Sequence, residues 1–120
     1  MKILICDDSM TVRKKLSNTL KSIIDCDVLE AKNGDEAINR FNEETPDLVF
    51  MDIMMPVKDG LEAVAEIMSQ HPTAKIIMLS SVGTKGNLQK ALKFGAIDFV
   101  QKPIEIEKLK IILETYKKEA

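Results

Sequence analysis

The sequence predicts an α/β domain whose core is a five-stranded, doubly wound parallel sheet. Three observations predict it. Five short apolar runs recur along the 120 residues. A helical period of apolar residues follows each run. The links between them are short and turn-like. Strands that alternate with helices in this way form parallel sheets covered on both faces by right-handed crossovers.

The elements can be justified in chain order. "KILIC" (Lys2–Cys6) is the first strand, continuous in apolar character as a strand buried on both faces must be. Ser9 can cap the helix that follows, with Val12, Leu16, Leu20 and Ile24 on one face. "CDVLEA" (Cys26–Ala31) alternates and fits a strand nearer an edge. Asn33-Gly34 predicts a turn, and Ala37, Ile38 and Phe41 mark the second helix. "DLVFM" (Asp47–Met51) is the third strand, opened by Pro46, and "KDG" leads into a helix carrying Leu61, Val64, Ala65 and Met68. "KIIML" (Lys75–Leu79) is the fourth strand. Its helix carries Leu88, Ala91 and Leu92 and stops at Gly95, a good helix-ending residue. "AIDFV" supplies the fifth strand, ending at Val100. Pro103 then breaks the chain before a last helix with Leu109, Ile112, Leu113 and Tyr116.

Composition bounds the function. Apolar residues make up 45% and charged residues 30%, which suits one domain with a single core. The net charge of −2, from 17 basic and 19 acidic side chains, gives no reason to expect direct nucleic-acid binding. No apolar run approaches the ~18 residues of a membrane span. The N-terminus lacks a signal-peptide pattern, so the cytoplasm is the default location. Cys6 and Cys26 lack metal or redox spacing and are expected to be packed, reduced thiols. His71 falls in a turn-like stretch and is expected to be a solvated loop residue, and the seven methionines to fill the core. No repeat, linker or second domain is expected within 1–120.

In an open parallel α/β sheet, ligands bind beyond the carboxyl ends of the strands. Asp7 and Asp8 end the first strand, Asp52 the third, Ser80 and Ser81 the fourth, and Gln101 and Lys102 the fifth. Each alone has a plain structural explanation as a helix cap, turn or solvated charge. Together they place three carboxylates, a hydroxyl and an ammonium along one sheet edge. Clustered carboxylates need a cation, and an all-oxygen set suits Mg²⁺ rather than zinc. A carboxylate beside Mg²⁺ can attack a phosphoryl donor, with Lys102 and Ser80 facing the transferred group. There is no glycine-rich phosphate loop, so a bound nucleotide is not expected.

"DD" after the first strand, "MDIMMPVKDG" around the third, "MLSS" ending the fourth and "DFVQKP" ending the fifth resemble the receiver domain of two-component response regulators. The resemblance runs along the whole chain and implies the flavodoxin-like, CheY-like (βα)5 fold with strand order 2-1-3-4-5. It implies that Asp52 accepts a phosphoryl group from a histidine kinase. Asp8 and Asp52 would hold Mg²⁺ with the backbone carbonyl of Met54, and Asp7 would act mainly through water. Ser80 and Lys102 would contact the phosphoryl group, and the Lys102–Pro103 bond would be cis. Ser80 and Phe99 would form the switch, and the fourth helix, fifth strand and fifth helix the output face. Lys85, Lys90 and Lys93 lie on that face, as do Ile104, Ile106 and Ile111, which the helical period leaves exposed. The resemblance further implies an effector protein as partner and a monomer or a weak phosphorylation-dependent dimer, and the lack of a long apolar run predicts no membrane insertion. A chemotaxis regulator and a receiver cut from a longer DNA-binding regulator both fit.

The sequence departs from the best-known chemotaxis regulators at Met54 and Val82, which are apolar where those carry polar residues. An aspartyl-phosphate phosphohydrolase is the competing enzyme reading. That class carries an acid two residues past its nucleophile, where this chain has Met54. A receiver that acts only as an interaction module would not need every ligand-type residue.

Overall fold

A computed structural model describes residues 1–81 and 84–117, and the side chain of Lys85 is not among what it describes. Five strands and five helices alternate: β1 (Lys2–Cys6), α1 (Met10–Ile23), β2 (Asp27–Ala31), α2 (Gly34–Glu44), β3 (Leu48–Asp52), α3 (Gly60–Gln70), β4 (Ile76–Ser80), α4 (Lys85–Lys93), β5 (Asp98–Gln101) and α5 (Ile106–Tyr116). The strands form one parallel sheet in the order β2-β1-β3-β4-β5.

Burial explains the order. Every residue of β3 and β4 is buried, as is all of β1 beyond Lys2, so these three strands take the interior places. β2 and β5 have exposed residues and stand at the edges. The sheet separates two apolar clusters. Leu4, Val49, Met51 and Met78 face α2, α3 and α4, where Phe41, Ile67 and Ala91 are buried. Ile3, Ile5, Phe50 and Ile77 face α1 and α5, where Leu16, Leu20, Leu109 and Ile112 are buried.

Local chemistry fixes the helix ends. Ser9 Oγ accepts from Val12 N–H at 3.2 Å, the cap its sequence position predicts. Asn33 and Asp59 do the same for α2 and α3, accepting from Glu36 N–H and Glu62 N–H, each at 2.9 Å. Gly95 has φ +122°, the left-handed stop expected after α4.

Several sequence expectations change. Asn33-Gly34 is a helix start rather than a turn, because the Asn33 side chain caps α2 and Gly34 is its first residue. β3 and β4 each run one residue further than their apolar runs, because backbone pairing continues through Asp52↔Leu79 and Ser80↔Gln101. β5 begins at Asp98, later than the apolar run suggests. Ile24 lies past the end of α1 as its C-cap. His71 is not a free loop residue. It caps α3, its Nε2 lies 2.8 Å from Asn42 Oδ1, and its ring packs 4.7 Å from that of Phe41. Ile104 is not exposed but packs against the α1–α5 cluster. Met10 and Met54 are exposed, at 59% and 56%, so the methionines do not all fill the core. Both cysteines are free thiols, with Cys6 buried and Cys26 half-buried. Val82 lies outside the described residues.

Candidate functional site

The carboxyl ends of β1 and β3 meet side by side where the strand order reverses. Parallel pairing sets Cys6 beside Met51, so the next residues, Asp7 and Asp52, emerge side by side. Carboxylate oxygens of Asp7, Asp8 and Asp52 all lie within 4.8 Å of one another. Asp7 is 1% exposed and Asp52 8%, whereas Asp8 is open to solvent.

Lys102 reaches into this cluster from just beyond β5. Its Nζ stands 2.8 Å from Asp7 Oδ2 and 3.2 Å from Asp52 Oδ2. Its own backbone N–H donates to the Ser80 carbonyl at 2.7 Å, so the end of β4 anchors it. The Lys102–Pro103 bond is cis, as the resemblance implies. Ser80 is buried at the end of β4, one place past the residue paired with Asp52. Among the described residues its hydroxyl makes no hydrogen bond to the carboxylates. Phe99 stands apart on the edge strand, 39% exposed, beside Gln101, Lys102 and Pro103.

The electrostatics follow from crowding. Burial first, and then the charge of Asp7, push the Asp52 pKa up to about 6. Lys102 and a hydrogen bond from the Met54 backbone oppose that rise. Burial disfavours the Lys102 ammonium, but the two carboxylates outweigh it and hold its pKa above the usual lysine value. Three carboxylates and one ammonium leave two surplus negative charges, the charge that a divalent cation balances. Among the described residues the grouped donor atoms are all carboxylate oxygens, from Asp7, Asp8 and Asp52, and this fits a hard ion such as Mg²⁺.

Two contributors carry little sequence signal. Gly60 is the first residue of α3, and a Cβ there would overlap the backbone carbonyl of Asp52. Its N–H donates to the Ile53 carbonyl at 2.8 Å, drawing the helix start under the acid. Only the "KDG" turn hints at this. Arg13 donates to the Asp7 carbonyl at 2.7 Å, and nothing in its helical position marks it for that contact.

Comparison with known proteins shows the family of the chain. The family model described as the response regulator receiver domain matches residues 3–114. The chain belongs to the response regulator receiver family. It is 44% identical over 114 residues to the chemotaxis protein CheY of Listeria monocytogenes, covering 95% of this chain and 96% of that protein. It is 41% identical over 112 residues to a protein-glutamate methylesterase/protein-glutamine glutaminase of Methanococcoides burtonii, covering 91% of this chain but 32% of that protein. The crystal structure of the receiver domain of NtrX from Brucella abortus superposes with a TM-score of 0.88 at 31% identity, covering 95% of this chain and 96% of that one. The receiver is therefore a phosphorylation-dependent switch of a two-component system, with the five-stranded 2-1-3-4-5 fold expected of it. No helix among its described residues is long and apolar enough to cross a membrane.

Proposed function

We propose that Asp52 is the phosphoacceptor and that residues 1–120 form one receiver domain working in the cytoplasm. One observation carries this reading. Asp52 is buried at the end of an interior strand, with two more carboxylates and a lysine ammonium around it. Asp8, Asp52 and the backbone carbonyl of Met54 would hold Mg²⁺, with Asp7 acting through water. The ion would offset charge on the carboxylates and on the incoming phosphoryl oxygens.

The residues then have distinct tasks. An Asp52 carboxylate oxygen attacks phosphorus of the phosphohistidine of a histidine kinase. The P–O bond to Asp52 forms as the P–N bond to the donor imidazole breaks, and that imidazole leaves with the electron pair and is protonated. Lys102 exchanges its hold on Asp52 for the phosphoryl oxygens, and Ser80 donates its hydroxyl to them. Ser80 moves toward the new anion and Phe99 turns inward, which reshapes the face of α4, β5 and α5 for an effector protein. The chain thus catalyses its own phosphorylation and dephosphorylation, with no outside substrate turned over. The identity to CheY supports chemotaxis as the pathway.

The test is intact-mass analysis after incubation with Mg²⁺ and a small acyl phosphate. A single base-labile phosphoryl adduct is expected, absent in Asp52→Asn. An adduct that persists in that variant, or rapid turnover of general phosphomonoesters, would overturn the assignment.

A further inference from the structure

We infer that Arg13 is a positioning residue for the acidic cluster: its guanidinium locks the peptide plane between Asp7 and Asp8 and so sets where the Asp8 carboxylate stands. The inference rests on reading that cluster as a Mg²⁺ site.

Arg13 lies in the first turn of α1, and its side chain is only 14% exposed. Nη1 donates to the Asp7 carbonyl at 2.7 Å, and Nε donates to Glu30 Oε1 of β2 at 2.9 Å. One planar group therefore ties the end of β1 to the neighbouring strand. The rest of Asp7 is equally held. Its N–H donates to the Ala31 carbonyl at 3.0 Å, Oδ1 accepts from Ser9 N–H at 2.9 Å, and Oδ2 accepts from Lys102. With Arg13 on its carbonyl, every polar group of Asp7 is engaged.

Asp8 is the opposite case. It is exposed, and among the described residues its carboxylate has no hydrogen-bond or ion-pair partner. Only the backbone directs it. The Asp7 carbonyl oxygen lies in one rigid plane with the nitrogen and Cα of Asp8. A donor that fixes this oxygen fixes the base from which the Asp8 side chain projects. The forked guanidinium can serve the carbonyl and Glu30 together, which a lysine ammonium at the end of a flexible stem does poorly.

Charge alone predicts the reverse effect. A cation beside a cation site weakens binding, so removing Arg13 would strengthen it, and Glu30 compensates that charge. Geometry and charge therefore give opposite signs.

The experiment is calorimetric titration with Mg²⁺ alone of the wild type, Arg13→Lys and Arg13→Gln, with urea unfolding measured in parallel. Both variants are expected to bind Mg²⁺ about tenfold more weakly while still fully folded at the titration temperature. Arg13→Lys keeps the charge and most of the stem, so it decides the matter if Arg13→Gln fails to fold. Unchanged affinity in Arg13→Lys, or tighter binding by a folded Arg13→Gln, overturns the inference and leaves the metal reading intact. A wild type that binds no Mg²⁺ overturns both.

Discussion

Asp52 is held at a cost that the unfolded chain does not bear. Its pKa is about 6 in the folded chain, against 3.8 for an ordinary aspartate. A raised carboxylate pKa means that the folded form binds the proton more tightly. The resulting stability is fully present below about pH 4 and is lost as pH rises through 6. Asp52→Asn is therefore expected to stabilise the metal-free protein by about 2 kcal/mol at pH 8, with the gain shrinking toward zero by pH 4. Urea unfolding in chelator across that range would show it, and a gain independent of pH would contradict it. Val57 holds a second local strain. Its φ is +67°, a region that β-branched residues rarely enter, and its side chain is 82% exposed with little packing in return. Val57→Asn should raise stability by about 1 kcal/mol, because asparagine tolerates that conformation. A lower unfolding midpoint in that variant would refute this account.

At the scale of elements, the start of α3 and the end of β3 touch without room for a methyl group. Gly60→Ala is expected to lose about 2 kcal/mol, the usual cost of overpacking, and to slow phosphorylation because the displaced backbone is that of Asp52. Denaturation and adduct formation measured together would separate this from stability loss alone, where the rate is unaffected well below the midpoint. The elements themselves were legible in the sequence because interior parallel strands must be apolar throughout. "DLVFM" and "KIIML" could hardly be anything else. Their last residues were less legible, since pairing continues through Asp52 and Ser80 after hydrophobicity stops. Asn33-Gly34 suits a turn and a capped helix start equally, so the dipeptide alone does not mark the start of α2. The carboxylates and Lys102 were legible as strand ends. Arg13 was not, because its contact with Glu30 joins residues 17 apart in different elements. The Asn42 partner of His71, 29 residues away, was hidden for the same reason.

At the scale of the whole molecule, the edges of the sheet are treated unequally. β2 presents the exposed charges of Asp27 and Glu30, which discourage a further strand. On β5, Asp98 Oδ1 accepts from the Phe99 N–H at 2.7 Å, while its Oδ2 accepts from the Tyr116 hydroxyl at 3.0 Å. One carboxylate thus occupies an edge donor and ties β5 to the far end of α5. Between those edges the sheet divides the apolar interior into two clusters. The consequence is thermodynamic modularity. Ile67 is buried in the cluster among α2, α3 and α4, and Ile112 in the one between α1 and α5, and among the described residues the two clusters have no member in common. Each Ile→Val change should cost about 1 kcal/mol, and the double variant should equal the sum of the two within about 0.5 kcal/mol. Coupling beyond that would show that the two halves respond to each other through the strands. If they add, each layer can accumulate substitutions without consulting the other, and only the carboxyl rim, where both layers meet the acids, must remain coordinated.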